Sequence, residues 1–96
     1  MSERTLIMPR IEKEIVIQNK KGLHVRVASE FVKTASQFQS DVFLYKDDKE
    51  TNGKSIMSLL TLEGTFNTMV KLVIDGEDAQ EAFDKLEKLL IENQNL

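Results

Sequence analysis

The sequence predicts an α+β domain, an open-faced β-sandwich in which a four-stranded antiparallel sheet carries three helices on one face, in the order β-α-β-β-α-β-α. Three observations predict it. The apolar period switches repeatedly between that of a strand and that of a helix. Two long segments carry one-sided apolar stripes that need a single sheet face to cover. The chain has 96 residues, enough for one core and no second. The opposite sheet face, with Val16, Phe43 and Val73, is expected to be the more exposed one.

The elements follow in order. Residues 1–10 read as a flexible tail, because Pro9 interrupts any regular element and the charges have no period; residues 11–96 form the folded domain. β-Branched residues between Ile11 and Gln18, densest at Glu14-Ile15-Val16-Ile17, predict the first strand. Asn19-Lys20-Lys21-Gly22 ends it with turn chemistry. Val25, Ala28, Val32 and Ala35 then follow helical spacing, with Phe31 and Phe38 on the same face, which predicts a helix over Val25 to Gln37. Asp41 to Tyr45 is a second strand, Lys46-Asp47-Asp48 a tight turn, and Lys49-Glu50-Thr51 a short strand whose charges protect a sheet edge. Ser55 precedes a short helix, Ile56 to Leu60. Thr68 to Asp75 is the last strand, with Val70, Leu72 and Ile74 on one face and Met69, Lys71 and Val73 on the other. Asp75-Gly76-Glu77-Asp78 turns into a final helix and places acids at its N-terminus, where they favour the dipole. That helix repeats Ala79, Ala82, Phe83, Leu86, Leu89 and Leu90 on one stripe, with Glu81, Asp84 and Glu87 among lysines as the solvated face.

Composition narrows the function. The chain is 41 % hydrophobic and 30 % charged, with a formal net charge of −3. Its lysines form no basic stripe, so nucleic acid is not an expected partner. Cysteine is absent and there is one histidine, which argues against disulfides and against a zinc or iron site; no metal and no cofactor is expected. Neither a signal peptide nor a stretch near the ~20 apolar residues of a membrane span is visible. The expected location is the cytoplasm, without membrane attachment.

The single histidine lies in Lys21-Gly22-Leu23-His24-Val25-Arg26, at the junction between the first strand and the first helix. An unprotonated imidazole nitrogen is a good nucleophile near neutral pH. At a helix N-terminus, unpaired N–H groups and the positive dipole end favour a neutral ring and then stabilise a phosphate attached to it. Arg26 adds charge-assisted hydrogen bonds to the phosphate oxygens. Gly22 either lets a partner's backbone approach or adopts a turn conformation closed to other residues. Ser55 is itself a preferred N-cap. The two-turn helix after it cannot bury Ile56, Met57, Leu59 and Leu60 together, so part of it is expected to be an exposed apolar patch. From the residues alone, three readings stay open: a phosphoryl carrier, an adaptor that binds through the Ser55 helix, and a scaffold whose histidine is only a helix cap.

Gly22-Leu23-His24-Val25-Arg26-Val27-Ala28 and Lys54-Ser55-Ile56-Met57, in register with the elements above and with Gly76-Glu77-Asp78, resemble the histidine-containing phosphocarrier protein (HPr) family of the sugar phosphotransferase system. The resemblance spans about residues 14–91. It implies a carrier, not an independent enzyme, in which His24 becomes a pros-phosphohistidine with Arg26 beside it. It implies enzyme I as donor and a sugar-specific enzyme IIA as acceptor. It also implies Ser55 as a regulatory phosphorylation site, with HPr kinase/phosphorylase and a transcriptional regulator as further partners, and Gly22, Ile56 and Met57 as contact residues. A monomer is the expected state, because a relay must release each partner quickly. Two positions depart from the family pattern. Val27 stands where the family has proline and restores a backbone N–H to the first helical turn. Asn67 stands where glycine is common, and asparagine tolerates positive φ better than most residues. The Val27 departure motivates the adaptor reading, an HPr-like regulator uncoupled from sugar transport.

Overall fold

The computed structural model describes residues 9–92 of the chain. Its elements are β1 (Arg10–Val16), α1 (Val25–Ala35), β2 (Asp41–Lys46), β3 (Lys49–Asn52), α2 (Ile56–Leu60), β4 (Met69–Asp75) and α3 (Ala79–Ile91). The sheet order is β1-β4-β2-β3 and every pairing is antiparallel. The element order, the sheet and the three covering helices are those expected from the sequence. The expected tail falls mostly on residues 1–8, outside the described residues. Pro9 and Arg10 belong to the end of the sheet: the Gly76 N–H donates to the Pro9 carbonyl at 2.9 Å, and Arg10 pairs with Asp75.

Register explains the two faces. Ile74 stands between Ile11 and Val42, Leu72 between Lys13 and Leu44, and Val70 beside Ile15. These positions point at the helices, where Ile15, Val42, Leu44, Val70, Leu72 and Ile74 join Phe31, Ala35, Ala82, Phe83 and Leu86 in one core. Lys13 is the polar member of this face. Its ammonium lies 5.7 Å from the Phe83 ring centroid and 2.9 Å from a Glu87 carboxylate oxygen, so its stem covers the aromatic edge while its charge stays solvated.

The open face carries Arg10, Glu12, Lys71 and Tyr45, with Lys71 5.1 Å from the Tyr45 ring centroid and 4.0 Å from Glu12. Exposed pairs of this kind add little stability, but charges along β1 discourage edge-to-edge pairing. Val16 and Phe43 are half-buried there, whereas Val73, expected to be exposed, is 1 % exposed. It occupies the middle of β4 between Glu12 and Phe43, so flanking side chains close over it without a second layer.

Other boundaries shift for local reasons. α1 ends at Ala35 rather than Gln37, because the Gln37 and Phe38 N–H groups bond three residues back, to Thr34 and Ala35, in a tighter turn. Its inward face is Val27, Ala28, Phe31 and Ala35, while Val25, which fits the apolar spacing, is 63 % exposed. The Asn67 expectation holds, with φ +73° before β4.

Asp78 precedes α3 but makes no side-chain cap bond to it. Its carboxylate instead accepts from the Gln39 and Ser40 N–H groups at 2.9 and 3.0 Å and from the Ser40 hydroxyl. This ties the α1–β2 connection to the start of α3. Gly76 permits the approach: a Cβ on it would lie 2.6 Å from the Ser40 Cα. The Ser40 hydroxyl, then the Gln39 N–H, hold the Asp78 carboxyl below its ordinary range. A carboxyl lowered on folding stabilises the fold above its unfolded pKa of about 4. That contribution disappears as pH falls through the lower, folded value. Chemical denaturation of Asp78→Asn and the parent chain should therefore differ at pH 7 and converge in strong acid.

Candidate functional site

The approach to His24 is built from a turn and a loop. Asn19 is buried; its side-chain oxygen accepts from the Lys21 N–H and its carbonyl from the Gly22 N–H, both at 2.9 Å. The N–H groups of Gln18 and Asn19 donate to the Leu90 carbonyl, fastening this turn to the end of α3. Gly22 has φ +63°, and a Cβ there would lie 2.7 Å from the Gly64 carbonyl oxygen and 3.0 Å from the Thr65 Cα. Gly22 is buried, so direct contact with a partner gives way to the other expected role, a turn closed to other residues. The next N–H, of Leu23, donates to the Gly64 carbonyl at 2.7 Å. Gly22→Ala should cost about 1–2 kcal/mol from the left-handed backbone alone, and more from the contact with residues 64 and 65. Urea unfolding measures the loss.

This path delivers His24 in extended conformation (φ −79°, ψ 176°) as the N-cap of α1. Its carbonyl accepts the first helical bond, from Ala28, at 2.9 Å. Its Nδ1 accepts from the Arg26 N–H at 3.3 Å, longer than the usual ~2.9–3.0 Å for such bonds. Nε2 is buried and has no hydrogen-bond partner among the described residues. Accepting from an N–H requires a lone pair on Nδ1, so the neutral ring carries its proton on Nε2. The nitrogen that holds a lone pair is therefore the one that faces the helix N-terminus. The long cap bond is a weak commitment of that lone pair.

Electrostatics favour an anion at this position. The first turn of α1 contains no acid, and Arg26, exposed beside the ring, has no ion pair among the described residues. Lys21, His24, Val25, Arg26 and Ser29 line one open depression of about 570 Å³. Lys21 and Ser29 were not singled out in the sequence; Ser29 is a helical turn beyond Val25, a spacing that was legible. Phe66, half exposed, sits on the loop whose backbone meets Gly22. The approach of this loop to Gly22 was also missed, because it depends on the bond from the Leu23 N–H to the Gly64 carbonyl.

Ser55 caps α2 (φ −131°, ψ 116°), its hydroxyl oxygen accepting from the Ser58 N–H at 3.2 Å. The Ser58 hydroxyl in turn accepts from the Asn52 N–H at 2.9 Å. Leu59 is buried, whereas Ile56 and Met57 are 36 % and 73 % exposed, dividing the short helix as its length requires. α2 packs against α1 and β3. Among the described residues no three His, Cys, Asp or Glu side chains gather as metal ligands, and no helix is long and apolar enough to cross a membrane.

A small α+β domain with its one histidine at a helix start matches a known class of phosphate carriers. Residues 11–92 match the family described as PTS HPr component phosphorylation site, and the chain belongs to the HPr phosphocarrier family. Relatives include both phosphocarriers and HPr-like proteins. The HPr-like protein Crh of Bacillus subtilis is 46 % identical over 76 residues, covering 79 % of this chain and 89 % of its own. The phosphocarrier protein HPr of Neisseria meningitidis is 44 % identical over 80 residues, covering 83 % of this chain and 90 % of its own. The crystal structure of HPr from Bacillus anthracis superposes with a TM-score of 0.81 at 34 % identity, covering 84 % of this chain and 96 % of that one.

Proposed function

We propose that this chain is a phosphoryl relay in which His24 Nδ1 takes a phosphoryl group from phosphorylated enzyme I and passes it to a sugar-specific enzyme IIA. The observation that carries this reading is the orientation of the ring, with Nδ1 at the N-terminus of α1 and Nε2 buried. In the forward step the P–N bond to Nδ1 forms as the donor's bond to phosphorus breaks, the electron pair leaving with the donor. The proton on Nε2 stays where it is. Once Nδ1 is substituted, the Arg26 N–H is released to a phosphate oxygen, and the Arg26 guanidinium adds a charge-assisted bond. Among the described residues that line the depression around His24 there is no carboxylate, and in this reading the chain stores the phosphoryl group and hands it on. The open depression suits this: a second protein's site has to close over His24. Val25, Ile56, Met57 and Phe66 supply apolar surface for such brief encounters. A monomer in the cytoplasm fits the role, although solved relatives include a Crh dimer; light scattering on the purified chain decides the state. The relay is tested by incubating the protein with enzyme I and phosphoenolpyruvate and mapping an acid-labile adduct by mass spectrometry.

A second reading is favoured by the match to HPr-like protein Crh and by the exposed side of α2. In it, HPr kinase/phosphorylase modifies Ser55, and the phosphorylated α2 surface recruits a transcriptional regulator. Phosphate on Ser55 sits at a helix N-terminus and does not melt it. Loading at Ser55 by the kinase with none at His24 by enzyme I would favour the adaptor; the reverse favours the relay.

A further inference from the structure

Three N–H groups at the start of α1 lack a helical acceptor: those of Val25, Arg26 and Val27, the first N–H bonded within the helix being that of Ala28. Arg26 donates to His24 Nδ1, whereas the Val27 N–H has no acceptor among the described residues. An N-cap side chain takes its bond from the N–H of the second or the third helical residue, here Arg26 or Val27, so both donors open toward the cap. Because Nε2 is buried, a group carried by the ring is placed on Nδ1, on the side to which these two donors open. The Val27 side chain is 1 % exposed and anchored in the core, so this donor is held in place before any phosphate arrives and need not reorganise to meet it.

We propose that Val27 is a positioning residue for the phosphohistidine, its main-chain N–H donating to an oxygen of the phosphoryl group on His24. The inference rests on the relay reading. The donor stabilises the fully ionised phosphoryl group and fixes its orientation for in-line departure to the next protein. Two substitutions separate backbone from side chain. Val27→Pro deletes the N–H while keeping a helical φ in the first turn. Val27→Ala keeps the N–H and removes the packing.

The test uses the full chain loaded with phosphoramidate, whose P–N bond breaks as the new bond to Nδ1 forms, nitrogen leaving as ammonia. Phosphorus NMR then follows the ionisation of the attached phosphoryl group. Val27→Pro should raise its midpoint by about one pH unit, a tenfold change in proton affinity and the size of one charge-assisted hydrogen bond. Val27→Ala should match the parent chain. Independently of either variant, the Val27 amide proton should move strongly downfield when the parent chain is loaded, which keeps the test decisive if the proline variant does not fold. Equal midpoints in all three proteins, or an unmoved Val27 amide, overturn the proposal while leaving the relay intact. A parent chain that takes no phosphate on His24 overturns the relay reading, and this inference with it.

Discussion

His24→Asn should fold like the parent chain and take up no phosphoryl group from enzyme I and phosphoenolpyruvate. Asparagine is as good an N-cap as any residue, so the link between the extended approach and α1 survives. The cap bond it replaces is 3.3 Å long, so little stability is at stake, about 0.5 kcal/mol or less. What is lost is the one imidazole in the sequence, the ring on which the proposed P–N bond forms and breaks. Adduct formation should fall to background while the circular dichroism spectrum and urea midpoint hardly move. A scaffold in which His24 is merely a cap predicts the opposite pairing: the parent chain takes no phosphate and His24→Ala costs stability. The asparagine variant separates capping from chemistry where alanine removes both.

Phe31→Ala should be the most damaging single truncation to the fold, costing about 3–5 kcal/mol. Phe31 is fully buried on the inner face of α1, in the same core as Leu44, Leu72 and Leu86. Removing a ring there leaves a void that helices and sheet cannot both close. A domain of this size is stable by about 5–15 kcal/mol, so the variant should unfold far earlier in urea. Met57→Ala is the contrast. Met57 is 73 % exposed, and its loss should change stability by about 0.5 kcal/mol or less. Weakened partner binding without unfolding is its expected signature. Large loss at residue 57 and small loss at residue 31 would mean that the roles of the two faces have been misjudged.

Periodicity made most of the fold legible, because the strands alternate about one buried face and α3 carries an unbroken stripe. It failed where burial depends on neighbours rather than on spacing. Val25 fits the helical pattern but stands at the helix start, beyond the edge of the sheet-facing stripe. Val73 alternates outward yet is covered by residues from both adjacent strands. Asp78 looked like a simple acid at a helix N-terminus; its bonds to Gln39 and Ser40 span distant sequence and leave no local mark. The site divides in the same way. His24, Arg26 and Ser55 were legible because capping positions are local features of sequence, and Gly22 was legible as a turn residue. The loop of residues 64–66 was not, since its docking onto Gly22 and Leu23 joins segments far apart in sequence. The burial of Nε2, on which the proposal of Nδ1 as the reacting nitrogen rests, left no mark in the residues themselves; there the pros position followed only from the family resemblance.

The most direct measurement is therefore the position of the phosphorus on the ring. With the chain labelled with nitrogen-15 and loaded from enzyme I and phosphoenolpyruvate, the imidazole nitrogen coupled to phosphorus should be Nδ1, the nitrogen that meets the Arg26 N–H in the free protein. Coupling to Nε2, or phosphate on any residue other than His24, would contradict an imidazole held with its reactive edge against the first helix.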